Sequence, residues 1–134
     1  MPVDPTPESV GAFAQRAPDD TPLVMLNLLR FREVADYPEA EQQVSGREAY
    51  ARYGELVQPF LAAVGGRLEW QGAAHEPLIA PDEERWDACL LVRYPSKAAF
   101  LEMVMNPEYQ AITVHRTAAL SDSRLVPMVE GPVA

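Results

Sequence analysis

Residues 85–125, RWDACLLVRYPSKAAFLEMVMNPEYQAITVHRTAALSDSRL, decide the fold. The apolar run Ala88-Cys89-Leu90-Leu91-Val92 ends at Tyr94-Pro95, which predicts a buried strand over Trp86–Tyr94. Ser96 caps the helix that follows, and Phe100, Met103 and Val104 form its buried face. Asn106-Pro107 breaks that helix and starts another, with Tyr109, Ile112, Arg116 and Leu120 at helical spacing. A last strand over Ser123–Val129 contains Pro127, which has no N–H for a ladder, so it belongs at a sheet edge.

Upstream of this stretch, Leu23–Phe31 (LVMLNLLRF) is nearly all apolar, the pattern of a central strand covered on both sides. Val24, Leu26 and Leu28 share one face, and Leu23, Met25, Asn27, Leu29 and Phe31 the other. Asn27 is an amide in an apolar strand, and burying it without partners would cost about 1–3 kcal/mol. Residues 33–44 are polar and irregular, with an acidic EAEQQ run, and read as a mobile connection. Ser45-Gly46-Arg47-Glu48 has capping-box spacing. Behind it Tyr50, Tyr53, Val57, Phe60, Leu61 and Val64 recur at helical intervals until Gly65-Gly66. Arg67–His75 alternates as a strand with one wet face, placing Leu68, Trp70, Gly72 and Ala74 together. The N-terminus begins with an extended proline-rich segment, and a short helix from Glu8 carries Val10, Phe13 and Ala14.

The element order is strand, helix, strand, strand, helix pair, strand. This is the ferredoxin-like βαββαβ pattern of an α+β fold, a four-stranded antiparallel sheet with its first and third strands central. One domain is expected over residues 21–130, with residues 1–20 an extension carrying the short helix and 131–134 a frayed tail. Helices cover only one face of such a sheet, yet both central strands are apolar on both faces. A second copy is the expected cover, giving a homodimer.

Composition narrows the partners. The net charge is −9, from 20 acidic and 11 basic residues with no Lys/Arg cluster, so neither nucleic acid nor an anionic membrane surface is expected as a partner. No run approaches the roughly 18 apolar residues of a membrane span. MPVDPTPESV lacks the features of a secretory signal, and a cytoplasmic address is expected. The single cysteine, Cys89, reads as a small buried hydrophobe. No cofactor is expected, and with only His75 and His115, far apart, no metal site either. Dinucleotide and phosphate-loop glycine motifs and the GxSxG elbow are absent.

PLVMLNLLRFR, SGREAYARYGELVQPFLAAVGGRLEWQG and the stretch from Arg85 to Leu125 together resemble the domain of unknown function 1330 family, within the dimeric α/β-barrel superfamily. The resemblance covers about Thr21 to Met128 and is strongest in YPS, AF, NPEYQ and DSRL. It implies a ferredoxin-like protomer and a barrel-forming dimer, but no reaction; related barrels include cofactor-free monooxygenases, isomerases and haem-binding proteins.

In such a protomer a cleft between sheet and helices is the expected ligand site. Asn27 and Tyr53 are the candidates for polarising a carbonyl, and His115, by its titration range, for moving protons. Tyr50, Trp70, Trp86, Arg93, Tyr109 and Arg116 are the candidate ligand contacts; for Arg93 an ion pair with Asp87 or Asp122 is the structural alternative. The expected function is small-molecule binding, with cofactor-independent oxygenase- or isomerase-like catalysis as its enzymatic form. The alternatives are a non-catalytic binding or structural homodimer, and haem binding through His115.

Overall fold

A computed structural model of the chain describes residues 1–39 and 43–133. In chain order the elements are α1 (Pro7–Arg16), β1 (Leu23–Phe31), α2 (Gly46–Ala63), β2 (Arg67–Ala73), β3 (Ala88–Tyr94), α3 (Lys97–Val104), α4 (Pro107–Ala119) and β4 (Leu120–Met128). The capping residues read from the sequence bond to the backbone of the first turns they precede. Ser45 Oγ accepts from Glu48 N at 3.0 Å, Ser96 Oγ from Ala99 N at 3.1 Å, and Asn106 Oδ1 from Glu108 N at 2.8 Å.

The strands form one antiparallel sheet in the order β2-β3-β1-β4, with the two most apolar strands at its centre. Leu23, Met25, Asn27 and Leu29 of β1 are buried and stand opposite Tyr94, Val92, Leu90 and Ala88 of β3, so these residues share the face beneath the helices. α2 and α4 pack against each other over that face. Their approach requires Gly46, because a Cβ there would collide with the backbone oxygens of Arg32 and Ala119. Val24, Leu26 and Leu28 project from the opposite face, where no helix lies over them.

Two sequence expectations change. The ladder between β2 and β3 shifts register between Leu68 and Trp70, so Glu69 and Trp70 both lie opposite Leu91. This bulge breaks the alternation. Leu68, paired with Val92, faces the helices, whereas Trp70, paired with Leu91, faces away from them.

The connection after β1 is also more ordered than its polar composition suggests. Ala35 N bonds to Val44 O and Asp36 N to Ala118 O, each at 2.8 Å, and Ala35 and Tyr37 are buried. The acidic run's Ala40, Glu41 and Gln42 lie outside the described residues, as does Ala134 of the expected frayed tail. Tyr37 anchors the segment: its hydroxyl is hydrogen-bonded to His115 Nδ1 on α4 at 2.6 Å. Partial burial, with the charge of Arg52, lowers the pKa of His115.

The unfolded ring therefore takes up its proton at a higher pH than the folded one. The stabilisation is full above about pH 6.5 and is lost as pH falls through the lower folded value. Urea unfolding midpoints should drop between pH 7.5 and 5, and by less in His115→Gln. Parallel pH profiles for the two proteins would contradict this.

Candidate functional site

The helix-facing side of the sheet does not fill completely. A cleft of about 1540 Å³ lies between sheet and helices, larger than the roughly 300–1,000 Å³ typical of small-ligand pockets. Met25 and Asn27 of β1 and Leu90, Val92 and Tyr94 of β3 contribute to its floor. Tyr50, Tyr53 and Val57 of α2 and Tyr109 and Arg116 of α4 line its walls, together with Phe100 and Met103 of α3.

Several of the buried polar groups in the lining are tied by hydrogen bonds. Asn27 is 9% exposed; its Nδ2 donates to Met25 O at 3.3 Å and Leu90 O at 3.5 Å. Carbonyls only accept, so these bonds fix the amide orientation. The amide oxygen has no hydrogen-bond donor among the described residues. Asn27 thus offers an acceptor rather than the oxyanion donor suggested by residue type alone.

The Tyr53 and Tyr109 hydroxyls are 2.8 Å apart. Burial pushes the phenols of Tyr50, Tyr53 and Tyr94 upward, with the nearby charge of Arg116 opposing it in each case. These three phenols are therefore neutral at physiological pH, each with one O–H to donate. Arg116 is 9% exposed, and its Nη1 donates to Val3 O at 2.8 Å.

Of the sequence candidates, the cleft brings together Asn27, Tyr50, Tyr53, Tyr109 and Arg116. His115 is held outside it against Tyr37, so the expected trio of Asn27, Tyr53 and His115 is not assembled. His115 is accordingly not placed to ligate a haem bound there.

Trp70 and Arg93 line a shallow recess on the opposite sheet face, where the bulge and strand alternation direct them. The carboxylate partners of Arg93 are Glu69 at 2.7 Å and Glu130 at 3.3 Å, not Asp87 or Asp122. Trp86 stacks against the Arg124 guanidinium, 5.1 Å from its ring centroid, and does not line the cleft. Cys89 is only partly buried, since it lies on the sheet face away from the helices.

Two contributors were missed in the sequence. Tyr94 was read only as a strand end, although its alternation with Leu90 and Val92 puts it on the cleft side. The N-terminal segment was read as an accessory, yet it closes one side of the cleft. Ser123 N and Oγ donate to Pro2 O and Val3 O, at 2.9 and 3.0 Å. At the other end the buried Lys97 Nζ donates to Ala14 O at 2.6 Å and Ala17 O at 2.9 Å, and pairs with Asp19 at 2.8 Å. Phe13 meets Phe100 edge-on at 5.3 Å between centroids. The apolar positions Val10 and Phe13 were the available signal. Among the described residues no group of three or more His, Cys, Asp or Glu is arranged to hold a metal ion, and no helix is long and apolar enough to cross a membrane.

The family described as Domain of unknown function (DUF1330) matches residues 37–131. No curated protein matches the sequence. A protein of unknown function from Rhodopseudomonas palustris, of solved structure, is 43% identical with a TM-score of 0.86, over 97% of this chain and 97% of that one. Its methylated form gives 42% identity and a TM-score of 0.87, over 98% of this chain and 96% of that one. A hydroxynitrile lyase from Passiflora edulis shares 12% identity and a TM-score of 0.58, over 86% of this chain and 98% of its own. At that identity the likeness is one of fold alone. The fold is ferredoxin-like, as in a dabb family protein from Mesorhizobium loti at 13% identity and a TM-score of 0.53, over 83% of this chain and 98% of that one, and the family match spans most of the chain, which therefore belongs to the DUF1330 family.

Proposed function

We propose that this protein is a homodimer that binds a small organic molecule in the cleft of each protomer. The observation that carries the reading is the cleft itself, in which buried neutral phenols, the Asn27 amide and the Arg116 guanidinium are set among apolar side chains. No histidine, lysine, cysteine or glutamate is among the described lining residues, and the one carboxylate, Asp4, belongs to the exposed N-terminal segment. Such a lining suits recognition of an oxygen function more than proton abstraction. If the site turns a substrate over without a cofactor, its residues act through polarisation, with Tyr53 and Arg116 stabilising charge that develops on a substrate oxygen.

The dimer reading rests on the uncovered sheet face. Val24, Leu26, Leu28 and Leu91 lie there beside Trp70, which is 55% exposed, and Val126 and Met128 extend the apolar surface across β4. A dimeric protein from Bacteroides fragilis shares the ferredoxin-like fold at 14% identity, with a TM-score of 0.52 over 81% of this chain and 96% of that one. A second copy set face to face would bury this surface.

Sedimentation velocity at micromolar concentration should give twice the 14.8 kDa mass of the chain. Leu91→Asp, which places a charge at the centre of the face, should shift it to monomer. A wild-type monomer would end the dimer reading.

For the cleft, a thermal-shift screen of small carbonyl and aromatic compounds should find stabilisers, since a ligand at 100 times its Kd adds about 2.7 kcal/mol. Val92→Phe, which narrows the cleft, should abolish the shifts. Hits that stabilise Val92→Phe equally, or a screen without hits, would contradict the assignment.

A further inference from the structure

We infer that the ligand is a small monoanion, a carboxylate on an apolar body that also offers a hydrogen-bond donor, and that Arg116 selects it. The inference rests on the cleft being the ligand site proposed above.

Arg116 sits in the last turn of α4, nine-tenths buried. Its guanidinium carries five N–H donors, but only Nη1 has partners: Val3 O at 2.8 Å and Asp4 Oδ1 at 3.9 Å. Val3 O is neutral. Asp4 is half exposed, at the outer limit of ion-pair distance, and already accepts from Thr117 Oγ1 at 2.9 Å. Its pull on Arg116 is correspondingly weak. Nε and Nη2 have no hydrogen-bond partner among the described residues. A buried cation with so little counter-charge favours an anion brought to it.

The neighbouring phenols point to the same chemistry. The Tyr50 and Tyr94 hydroxyls have no hydrogen-bond partner among the described residues, and both rings line the cleft with Arg116. A guanidinium only donates, and each neutral phenol has one O–H to give, so a ligand group that accepts satisfies them together. Arg–carboxylate pairing, often bidentate, meets that need. A dianion such as a phosphate would need a second committed cation. The other arginines of the lining are the exposed Arg16 and Arg124, which Asp122 holds at 2.7 Å.

Asn27 Oδ1 supplies the complementary acceptor. A hydroxyl or amine on the ligand's apolar body can donate to it. Met25, Val92, Phe100 and Met103 provide the apolar surroundings for the remainder.

Isothermal titration with 4-hydroxybenzoate, phenylacetate and their primary amides tests this on the full chain. The wild type should bind each acid roughly ten- to a hundred-fold more tightly than its amide. Arg116→Gln should lose that preference while amide affinity stays within about two-fold, and Arg116→Lys should retain part of it. The wild-type comparison needs no variant and stands even if Arg116→Gln, which loses the bond to Val3, fails to fold. Equal wild-type affinity for acids and amides, or an acid preference retained in Arg116→Gln, would overturn the inference and leave the cleft as a ligand site. Binding of neither series to the wild type would overturn both.

Discussion

The structure depends on one constraint: its two central strands, β1 and β3, are apolar on both faces. Burial of apolar surface contributes about 25 cal/mol per Å², so neither face is stable when left in water. The helices answer the constraint on one side. Leu23, Leu29 and Leu120 are fully buried there, and Gly46 lets α2 come against the backbone of Arg32 and Ala119. The other side presents Leu26, Leu28 and Leu91 without a helix, which is why the proposed function includes a second copy.

The cleft follows from how that helix layer closes. Tyr53 of α2 and Tyr109 of α4 pack with Met25 in the core, and the same side chains line the cleft beside Asn27. The N-terminal segment bounds the opening, tied at one end to Ser123 and Arg116 and at the other to Lys97. Burial keeps the phenols of Tyr50, Tyr53 and Tyr94 protonated, Asn27's amide hydrogens are used by Met25 and Leu90, and Arg116 is the one deeply buried charge among the described lining residues. The amide and the guanidinium are thus each restricted to a single hydrogen-bonding role by their surroundings. A set of buried polar groups around one cation is a recognition surface, and this is the physical basis for the binding reading.

Much of the fold was legible in the sequence because hydrophobic period and capping chemistry are local. The two central strands were separable from the edges by composition alone, and Ser45, Ser96 and Asn106 announced their helices. The site was less legible because its geometry depends on long-range register. Period-2 alternation places Trp70 with Leu68, and only the Glu69 bulge in the folded sheet separates them. His115 has the right titration range for catalysis, but its direction is set by Tyr37, 78 residues away. The N-terminal helix has no fully buried residue, so its amphipathicity gave little warning that it closes the cleft. Asn27 was recognisable as unusual; which end of its amide is free depends on carbonyls that only the folded sheet brings near.

The chain's five methionines provide a direct test of where a ligand resides. Met25 and Met103 line the cleft, whereas Met128 lies on the far face of the sheet opposite Val24. In a protein labelled with ¹³C at the methionine methyls, titration with 4-hydroxybenzoate should shift the Met25 and Met103 resonances progressively and saturably while Met128 stays fixed. Saturable shifts confined to Met128, or no shift at Met25 and Met103 at saturating concentration, would contradict the placement of the ligand site in the cleft.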